Sequence, residues 1–371
     1  MVDNIKIDVN NFALIKEGEF EVEDILLIED MQGYAHADIL KLLFSVLITY
    51  SPEGDFSGNN MVNSQFLDAI QGNNLPFEIR FELNRFLNND WEDHNISPNY
   101  FNDKLDEFKK LLKKYHIKAD TSMIELAISK FNEYNEFHMP VFQHFMELEF
   151  KKHPLDYYDP FDVHIYIDGE DHFLNYDSSK SDNLNIGFSY NTKKISGNVM
   201  YLGPKPIMEF IGGTDNFPYH YEELFSSLTE TYVERNLDID EIENDLEEFV
   251  GGSFDIENSD FIFITNDGDI VEVDDVSREV KQLGLILMLI ENLGLCEDSI
   301  IILDNFDKDM SEEFKLKTSE VLVKLTKLLN LKLIINAYSE EFADAIREFG
   351  KDISINSYEA EGSAKDKYTF V

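Results

Sequence analysis

The sequence predicts an α/β fold with a parallel or mixed sheet, antiparallel hairpins and an inserted helical lobe. Three patterns support this prediction: strands and helices that alternate in the last third of the chain, period-two strands in the middle, and a long helical stretch before them. At 371 residues the chain is long enough for two or three domains, or for one large domain with an inserted lobe.

The last third of the chain, 261–371, alternates regularly. Strands are predicted at FIFIT, IVEV, IIILDN, LKLIIN, ISINSY and KYTFV, and helices at VKQLGLILMLIENL, 311–329 and 340–349. Apolar strands that alternate with helices are typical of a parallel sheet covered on both faces. At the amino terminus, IKIDVNNFALI and EGEFEVEDILLIED predict two more strands ahead of a helix.

The segment 61–150 has helical periodicity, with apolar residues three and four positions apart in FNDKLDEFKKLLKKYHI and SMIELAISKFNEYNEF. After 153–160 the period changes to two, and VHIYI, NIGFSY and NVMYL predict antiparallel hairpins. The sequence therefore predicts a discontinuous head formed by 1–50 and 160–371, with a helical lobe inserted at 51–159.

The charge balance is strongly acidic, with 74 Asp and Glu against 31 Lys and Arg and a net charge of -43. Binding to a nucleic-acid backbone or to anionic lipid depends on Lys and Arg, so nucleic-acid binding by the chain itself and membrane docking are both disfavoured. The acidity either keeps the protein soluble or fits a basic partner, for which the surface could mimic DNA.

The chain has one cysteine, Cys296, which excludes an internal disulfide and fits a reducing compartment. The amino terminus has no apolar signal segment, and the longest apolar runs are far shorter than the ~20 residues that span a bilayer. We therefore expect a cytoplasmic protein.

Four segments follow one another in the order of a known family. IKIDVNNFALIKEGEFEVEDILLI resembles the opening of ABC-type ATPase heads of the SMC, RecF and OLD-nuclease kind, in which a hairpin leads into the phosphate-loop strand. VSREVKQLGLILMLIENL looks like the signature helix, SIIILDNFDKDMSEEF like a Walker B strand, and KLIINAYSEEFADAI like the switch strand. The resemblance covers roughly 1–50 and 255–371 and, more loosely, the hairpins between 160 and 202, and it implies a P-loop NTPase-like ABC head.

By the resemblance, the phosphate-loop segment of this chain lacks the residues that bind phosphate and Mg²⁺. A working loop reads G-x-x-x-x-G-K-[ST], in which backbone N–H groups and the Lys hold phosphates and the Ser or Thr holds Mg²⁺. By the resemblance, those four positions are Glu29, Tyr34, Ala35 and His36. Loss of the Lys alone should remove ~1.5–3 kcal/mol of charge-assisted hydrogen bonding.

By the resemblance, the Walker B and switch segments also lack residues that ATP hydrolysis needs. Asp304 occupies the position that would coordinate Mg²⁺, but Asn305 replaces the Glu that would orient the attacking water, and an amide cannot accept that proton. In the switch strand Tyr338 stands where the phosphate-sensing His would be. The resemblance therefore implies an ATPase head that does not hydrolyse ATP.

In the signature segment Ser277 is retained, while Arg278 or Glu279 occupies the glycine position. A side chain there would obstruct a nucleotide held by a neighbouring head. Heads of this family work in pairs, so a second hypothesis places Arg278 against the acidic Glu29 and Asp30 of another copy, where an ion pair would replace the bridging phosphate.

These observations favour a pseudo-ATPase that needs no cofactor and acts as a scaffold or regulatory subunit, with a protein partner or as a homodimer. By analogy, its setting is a prokaryotic genome-maintenance or anti-phage module. The alternatives are an ordinary α/β protein, a divergent weak ATPase, and an acidic decoy that occupies a basic surface. A weaker hypothesis is that Glu29, Asp30 and Asp304 converge on a cation.

Overall fold

The computed structural model describes most of the predicted head and part of the predicted lobe. The described residues are 2–29, 37–51, 100–114, 160–176, 185–187, 192–210, 237–257, 260–292, 294–363 and 367–370, with single positions between 117 and 142 and between 189 and 228.

The described residues form strands β1–β14, helices α1–α6 and two 3₁₀ turns. The strands are β1 (Ile5–Asn10), β2 (Ile15–Val22), β3 (Ile25–Glu29), β4 (Phe161–Ile167), β5 (Glu170–Tyr176), β6 (Asn185–Gly187), β7 (Val199–Leu202), β8 (Gly252–Glu257), β9 (Asp260–Thr265), β10 (Ile270–Glu272), β11 (Ile300–Asp304), β12 (Lys332–Ala337), β13 (Ile355–Ser363) and β14 (Lys367–Phe370). The helices are α1 (Ala37–Thr49), α2 (Tyr100–Lys114), α3 (Leu237–Val250), α4 (Arg278–Glu291), α5 (Glu312–Leu329) and α6 (Glu340–Phe349), and the 3₁₀ turns are Ile207–Phe210 and Val273–Asp275.

The chain divides into two compact units, one formed by Met1–Pro52 with Phe142–Val371 and the other by Glu53–Val141. Every strand among the described residues lies in the first unit, and α2 lies in the second. In the second unit α2 buries Phe108, and Lys109 forms an ion pair of 2.8 Å with Glu125. None of the helices within the described ranges is long and apolar enough to cross a membrane.

The large sheet has eleven strands in the order β6-β5-β4-β1-β2-β14-β13-β3-β12-β11-β7. Strands β13, β3, β12, β11 and β7 run parallel to one another, and every residue of β3 and β11 is buried. The prediction that ILLI, IIIL and KLII lie in one parallel sheet is confirmed. Their apolar residues on both faces fit strands that are covered on both sides.

The antiparallel part of the sheet contains the predicted hairpin of β4 and β5, with β6 antiparallel to β5. The prediction for β7 was wrong. This strand is parallel to β11 at the opposite end of the sheet, and the hairpin assigned to NVMYL does not form. Because all four residues of β7 are buried, the strand has no polar face, and that pattern is typical of the parallel region.

Helix α4 forms the centre of the core beside the parallel strands. Ser277 caps its first turn by accepting a hydrogen bond from the backbone N–H of Val280, and its residues 281–290 are buried. Burying each large aliphatic side chain contributes about 1.5–3 kcal/mol. Gly284 allows Phe254 of β8 to pack closely on the helix, because a Cβ at this position would lie 2.3 Å from that ring.

Candidate functional site

The candidate site lies where β3, β12 and β11 end side by side at one edge of the parallel sheet. In the register of these strands Glu29 is opposite Ala337, and Asp304 is opposite Asn336. Open α/β sheets bind ligands beyond this edge, because loops and helix N-termini follow the strands there. The side chains at these strand ends therefore decide what the edge can bind.

Asp304 ends β11, and its carboxylate already accepts hydrogen bonds from three side chains of the same chain. The hydroxyl of Tyr201 donates to Oδ2 at 2.7 Å. Nδ2 of Asn336 donates to Oδ1 at 2.8 Å, and Nδ2 of Asn305 donates to the same oxygen at 3.0 Å. Because Asp304 is only 4% exposed, a metal ion could reach it only by displacing these donors.

In each of the two amides at this carboxylate the NH₂ group donates a hydrogen bond, but the oxygen accepts none within the described residues. Oδ1 of Asn305 and Oδ1 of Asn336 are buried, and neither accepts a hydrogen bond from the part of the chain that the structure describes. Turning either amide over would set its oxygen against the Asp304 carboxylate. Both amides are therefore held with their NH₂ groups towards Asp304, and they serve as donors to it.

Asn305 has a backbone conformation that few residues adopt. Its φ is +49°, in the left-handed region where Asn is favoured among residues with a side chain. Its backbone N–H donates to the carbonyl of Asn336 at 3.0 Å, and its side chain is 7% exposed. This position holds an amide directed at Asp304, so it presents no base to a water molecule.

Asp307 fastens the loop after β11 to the loop after β12. Its Oδ1 accepts the backbone N–H of Tyr338 at 2.8 Å, and its Oδ2 accepts the hydroxyl of Ser339, which precedes α6. Burial raises the pKa of Asp307, and although these hydrogen bonds and the charge of Lys315 lower it, the pKa stays above its usual range. Asp307 is thus a buried acid that holds the two loops together.

Replacing Asp307 with Asn isolates the effect of its charge. The amide oxygen can still accept from the backbone of Tyr338, and the NH₂ group can donate to Ser339. A group whose pKa is raised by folding stabilises most fully below its unfolded-state pKa, and this contribution is lost as the pH rises through the folded-state pKa. When the pH falls from about 7 to about 4, the free energy of unfolding of the wild type should therefore rise relative to that of Asp307→Asn. The expected rise is about 1.4 kcal/mol for each pH unit by which folding raises the pKa.

Urea unfolding of both proteins at several pH values measures this difference. The variant is the proper reference because the acidic surface affects both proteins alike. A difference that does not change with pH would contradict a raised pKa for Asp307.

Glu29, at the end of β3, forms an ion pair with Arg347 of α6, and Arg347 also contacts Asp344 at 3.1 Å. Strand β12 lies between Glu29 and Asp304, and each carboxylate has its own partners. Glu29 and Asp304 therefore end strands that are not direct neighbours in the sheet. Asp30 lies outside the described residues, and within them no group of three or more His, Cys, Asp or Glu side chains could hold a metal ion.

The other predicted phosphate-loop positions, Tyr34, Ala35 and His36, also lie outside the described residues. Of that loop, the structure describes its first position, Glu29, and the helix that follows it, α1. Glu29 itself is nearly buried and carries a carboxylate where a working loop has glycine.

The predicted signature residues all have partners within the chain. Ser277 caps α4, and Glu279 accepts the backbone N–H of Ser311 at 2.8 Å. Arg278 donates to Asp309 at 2.7 Å and to the carbonyl of Pro204 at 2.7 Å. Since both Arg278 and Glu29 are already paired, the hypothesis that they join two copies is not supported by this geometry.

Tyr338 follows β12 and has an exposed ring, with Nζ of Lys308 5.3 Å from the ring centre. Its backbone N–H is held by Asp307. The phenol ring of Tyr338 has no imidazole nitrogen, which is the group that the predicted resemblance would need at this position.

Sequence reasoning missed the residues that close the site: Tyr201, Asn336, Asp307 and Arg347. One signal was visible for Asn336 and Asp307, because each polar residue ends or closely follows an otherwise apolar strand. No such signal marks Tyr201 and Arg347, which reach the site from β7 and from the last turn of α6.

No family model and no curated protein sequence matches the chain. Among solved structures it is similar to an SMC head domain from Thermotoga maritima, with a TM-score of 0.43 and 8% identity over 99% of this chain and 97% of that one. It is also similar to an Smc head bound to the C-winged helix domain of ScpA, with a TM-score of 0.40 and 10% identity over 100% of this chain and 96% of that one. A third similar structure is an Smc head with an extended coiled coil, bound to the C-terminal domain of ScpA and derived from Pyrococcus furiosus, with a TM-score of 0.45 and 8% identity over 100% and 96% of the two chains. The predicted α/β fold with a mixed sheet and antiparallel hairpins is confirmed by the strand order of the chain itself.

Proposed function

We propose that this protein is a catalytically inactive ABC/SMC-like head that acts as a scaffold or regulatory subunit. The observation that carries the proposal is the Asp304 carboxylate, which accepts hydrogen bonds from Tyr201, Asn305 and Asn336 instead of standing free for Mg²⁺. A buried carboxylate with three donors has little capacity left for a metal ion.

The position after Asp304 supports the same proposal. Hydrolysis needs a group that orients and deprotonates water, and the family has Glu at this position. Asn305 offers an amide whose NH₂ is committed to Asp304, and its left-handed backbone fixes the side chain in that direction. The site therefore offers neither a free carboxylate for Mg²⁺ nor a general base for the hydrolysis of ATP.

We propose that the protein works in the cytoplasm with a protein partner, in a prokaryotic genome-maintenance or anti-phage module. The net charge of -43 opposes the association of two copies at low salt, because like charges repel. A basic partner is therefore favoured over a homodimer, and nucleic acid is not expected to bind to this chain by itself.

The direct test of inactivity is an assay of phosphate release from millimolar ATP with Mg²⁺. We expect wild type and Asp304→Asn to release phosphate at the same background rate. Asparagine is the suitable control, because its oxygen can accept from the two amides and its NH₂ can donate to the Tyr201 hydroxyl. Saturable release by the wild type that is lost in Asp304→Asn would establish the alternative, a divergent weak ATPase.

A further inference from the structure

Strands β8, β9 and β10 form a separate antiparallel sheet of three strands, with β9 in the middle. On its inner face Phe254, Phe263 and Val271 lie side by side in the strand register and pack in the core. Because side chains alternate along a strand, the other face, here called the outer face of the small sheet, holds Ser253, Asp255, Glu257, Asp260, Ile262, Ile264, Ile270 and Glu272. None of these eight residues is buried.

The outer face carries an apolar patch of three isoleucines. Ile264 and Ile270 are directly opposite each other in the register of β9 and β10, and Ile262 is the next residue of β9 on the same face. Ile270 is 67% exposed, and the other two are half-buried without packing on the core. A solvated sheet face normally carries polar residues, and neighbouring apolar side chains on such a face mark an interaction site.

The segment 252–275, which forms this sheet and the turn after it, contains no Lys, Arg or His. Its acidic residues are Asp255, Glu257, Asp260, Asp267, Asp269, Glu272, Asp274 and Asp275. Its net charge is thus -8 in 24 residues, against -43 in 371 for the whole chain, so negative charge is about three times as dense here as on average.

These eight carboxylates are exposed, and none of them forms an ion pair within the part of the chain that the structure describes. Asp255 accepts the backbone N–H of Ile256 at 2.7 Å. In the register of the small sheet, Asp255 and Glu272 lie on either side of Ile262, so unpaired carboxylates flank the apolar patch.

The charge of the outer face selects a cationic occupant. A second copy of this chain would bring the same carboxylates against these, and anionic lipid or nucleic acid would be repelled as well. A partner with Lys or Arg gains from carboxylates that are unpaired, because no ion pair within this chain has to break first.

The position of the isoleucines selects a helix over a strand. A strand added to the free edge of the sheet would lie beside β10 and would leave Ile262 and Ile264, on the middle strand, uncovered. A helix laid across the outer face covers all three isoleucines, and packing a helix on a sheet is a common way to bury an apolar sheet face.

We infer that the outer face of the small sheet docks an amphipathic helix of a partner protein. Aliphatic side chains of that helix lie on the three isoleucines, and its Lys or Arg residues meet Asp255, Glu257 and Glu272. The inference rests on the proposed function, because it states the chemistry of the partner that the scaffold would hold.

The test uses a fluorescently labelled peptide of Leu, Lys and Ala, about 18 residues or five helical turns long, with its leucines on one helix face. Two control peptides have the same composition, one scrambled and one with Leu and Lys alternating as in a strand, and a third has Glu for Lys. We expect fluorescence anisotropy to show saturable binding of the first peptide and weaker binding of all three controls. Absence of saturable binding, or equal binding of the scrambled peptide, would overturn the inference, and so would tighter binding of the alternating peptide, which indicates the edge of β10.

Matched variants locate the apolar contact. Ile264→Thr with Ile270→Thr keeps β-branched residues in the two strands and removes apolar surface, so the fold should persist while binding weakens by about tenfold. Leu316→Gln changes an exposed leucine on α5, which is 47% exposed, and should leave the affinity unchanged. Circular dichroism checks the fold of each variant. Unchanged affinity in the isoleucine variant, or an equal loss in Leu316→Gln, would overturn the inference.

A charge comparison provides a second test that does not depend on the isoleucines. Glu257→Gln with Glu272→Gln should weaken binding by more than Glu313→Gln with Glu340→Gln, which removes the same charge from the first turns of α5 and α6. Equal losses would show that the overall charge of the chain attracts the peptide and would refute the site. No nucleotide enters these experiments, so their failure is separate from a failure of the proposed inactivity.

Discussion

Replacing Asp304 with Ala should lower the free energy of unfolding by about 3–5 kcal/mol. The substitution leaves three buried donors without their acceptor: the hydroxyl of Tyr201 and the NH₂ groups of Asn305 and Asn336. Each buried donor that loses its partner costs about 1–3 kcal/mol, and relaxation or entry of water recovers part of the total. Urea or thermal unfolding measures the loss.

Two control variants separate the hydrogen bonds from the shape of the side chain. Asp304→Asn keeps an oxygen for the amides and should lose much less stability than Asp304→Ala. Tyr201→Phe removes one donor while keeping the ring and should cost about 0.5–1.5 kcal/mol. If Asp304→Ala were as stable as wild type, the carboxylate would not be an internal structural group, and this explanation of the site would fail.

Asn305→Glu, which introduces the residue that the proposed resemblance places at this position in an active head, should destabilise the protein by about 2–4 kcal/mol and yield no ATP hydrolysis. Glu is disfavoured at a φ of +49°, it cannot donate to Asp304, and it places a second carboxylate beside a buried one. Unfolding and phosphate-release assays on the purified variant measure both effects.

Asn305→Gly is the control for the backbone, because glycine accepts a positive φ and removes only the side chain. We expect it to lose about 1 kcal/mol, the contribution of one hydrogen bond. A gain of ATP turnover in Asn305→Glu, or a stability equal to that of Asn305→Gly, would contradict the view that this position has become structural.

Much of the fold could be predicted because its signals are local. Strands β3, β11 and β12 are apolar on both faces, and this pattern alone indicates the interior of a parallel sheet. Helices α4 and α5 are marked by Ser at the positions before them and by regular apolar spacing. Strand β7 was misplaced because four apolar residues fit either kind of strand, and its partner β11 is about a hundred residues away along the chain.

The site could be predicted only in part. Asp304 and Asn305 were identified from the resemblance of their segment to a Walker B strand, but their partners depend on long-range packing. Tyr201 lies 103 positions from Asp304, and Arg347 lies 318 positions from Glu29. No spacing rule reaches that far, so the sequence could indicate Asp304 and Asn305 without indicating the groups that hydrogen-bond to Asp304 or pair with Glu29.

Thermal unfolding with and without millimolar Mg-ATP tests the proposal that this site does not bind nucleotide. A ligand present at a hundred times its Kd stabilises a protein by about 2.7 kcal/mol, which is readily measured as a rise in Tm. We predict that the Tm stays the same at every ATP concentration, with or without Mg²⁺. A saturable rise in Tm that requires both ATP and Mg²⁺ would contradict the claim.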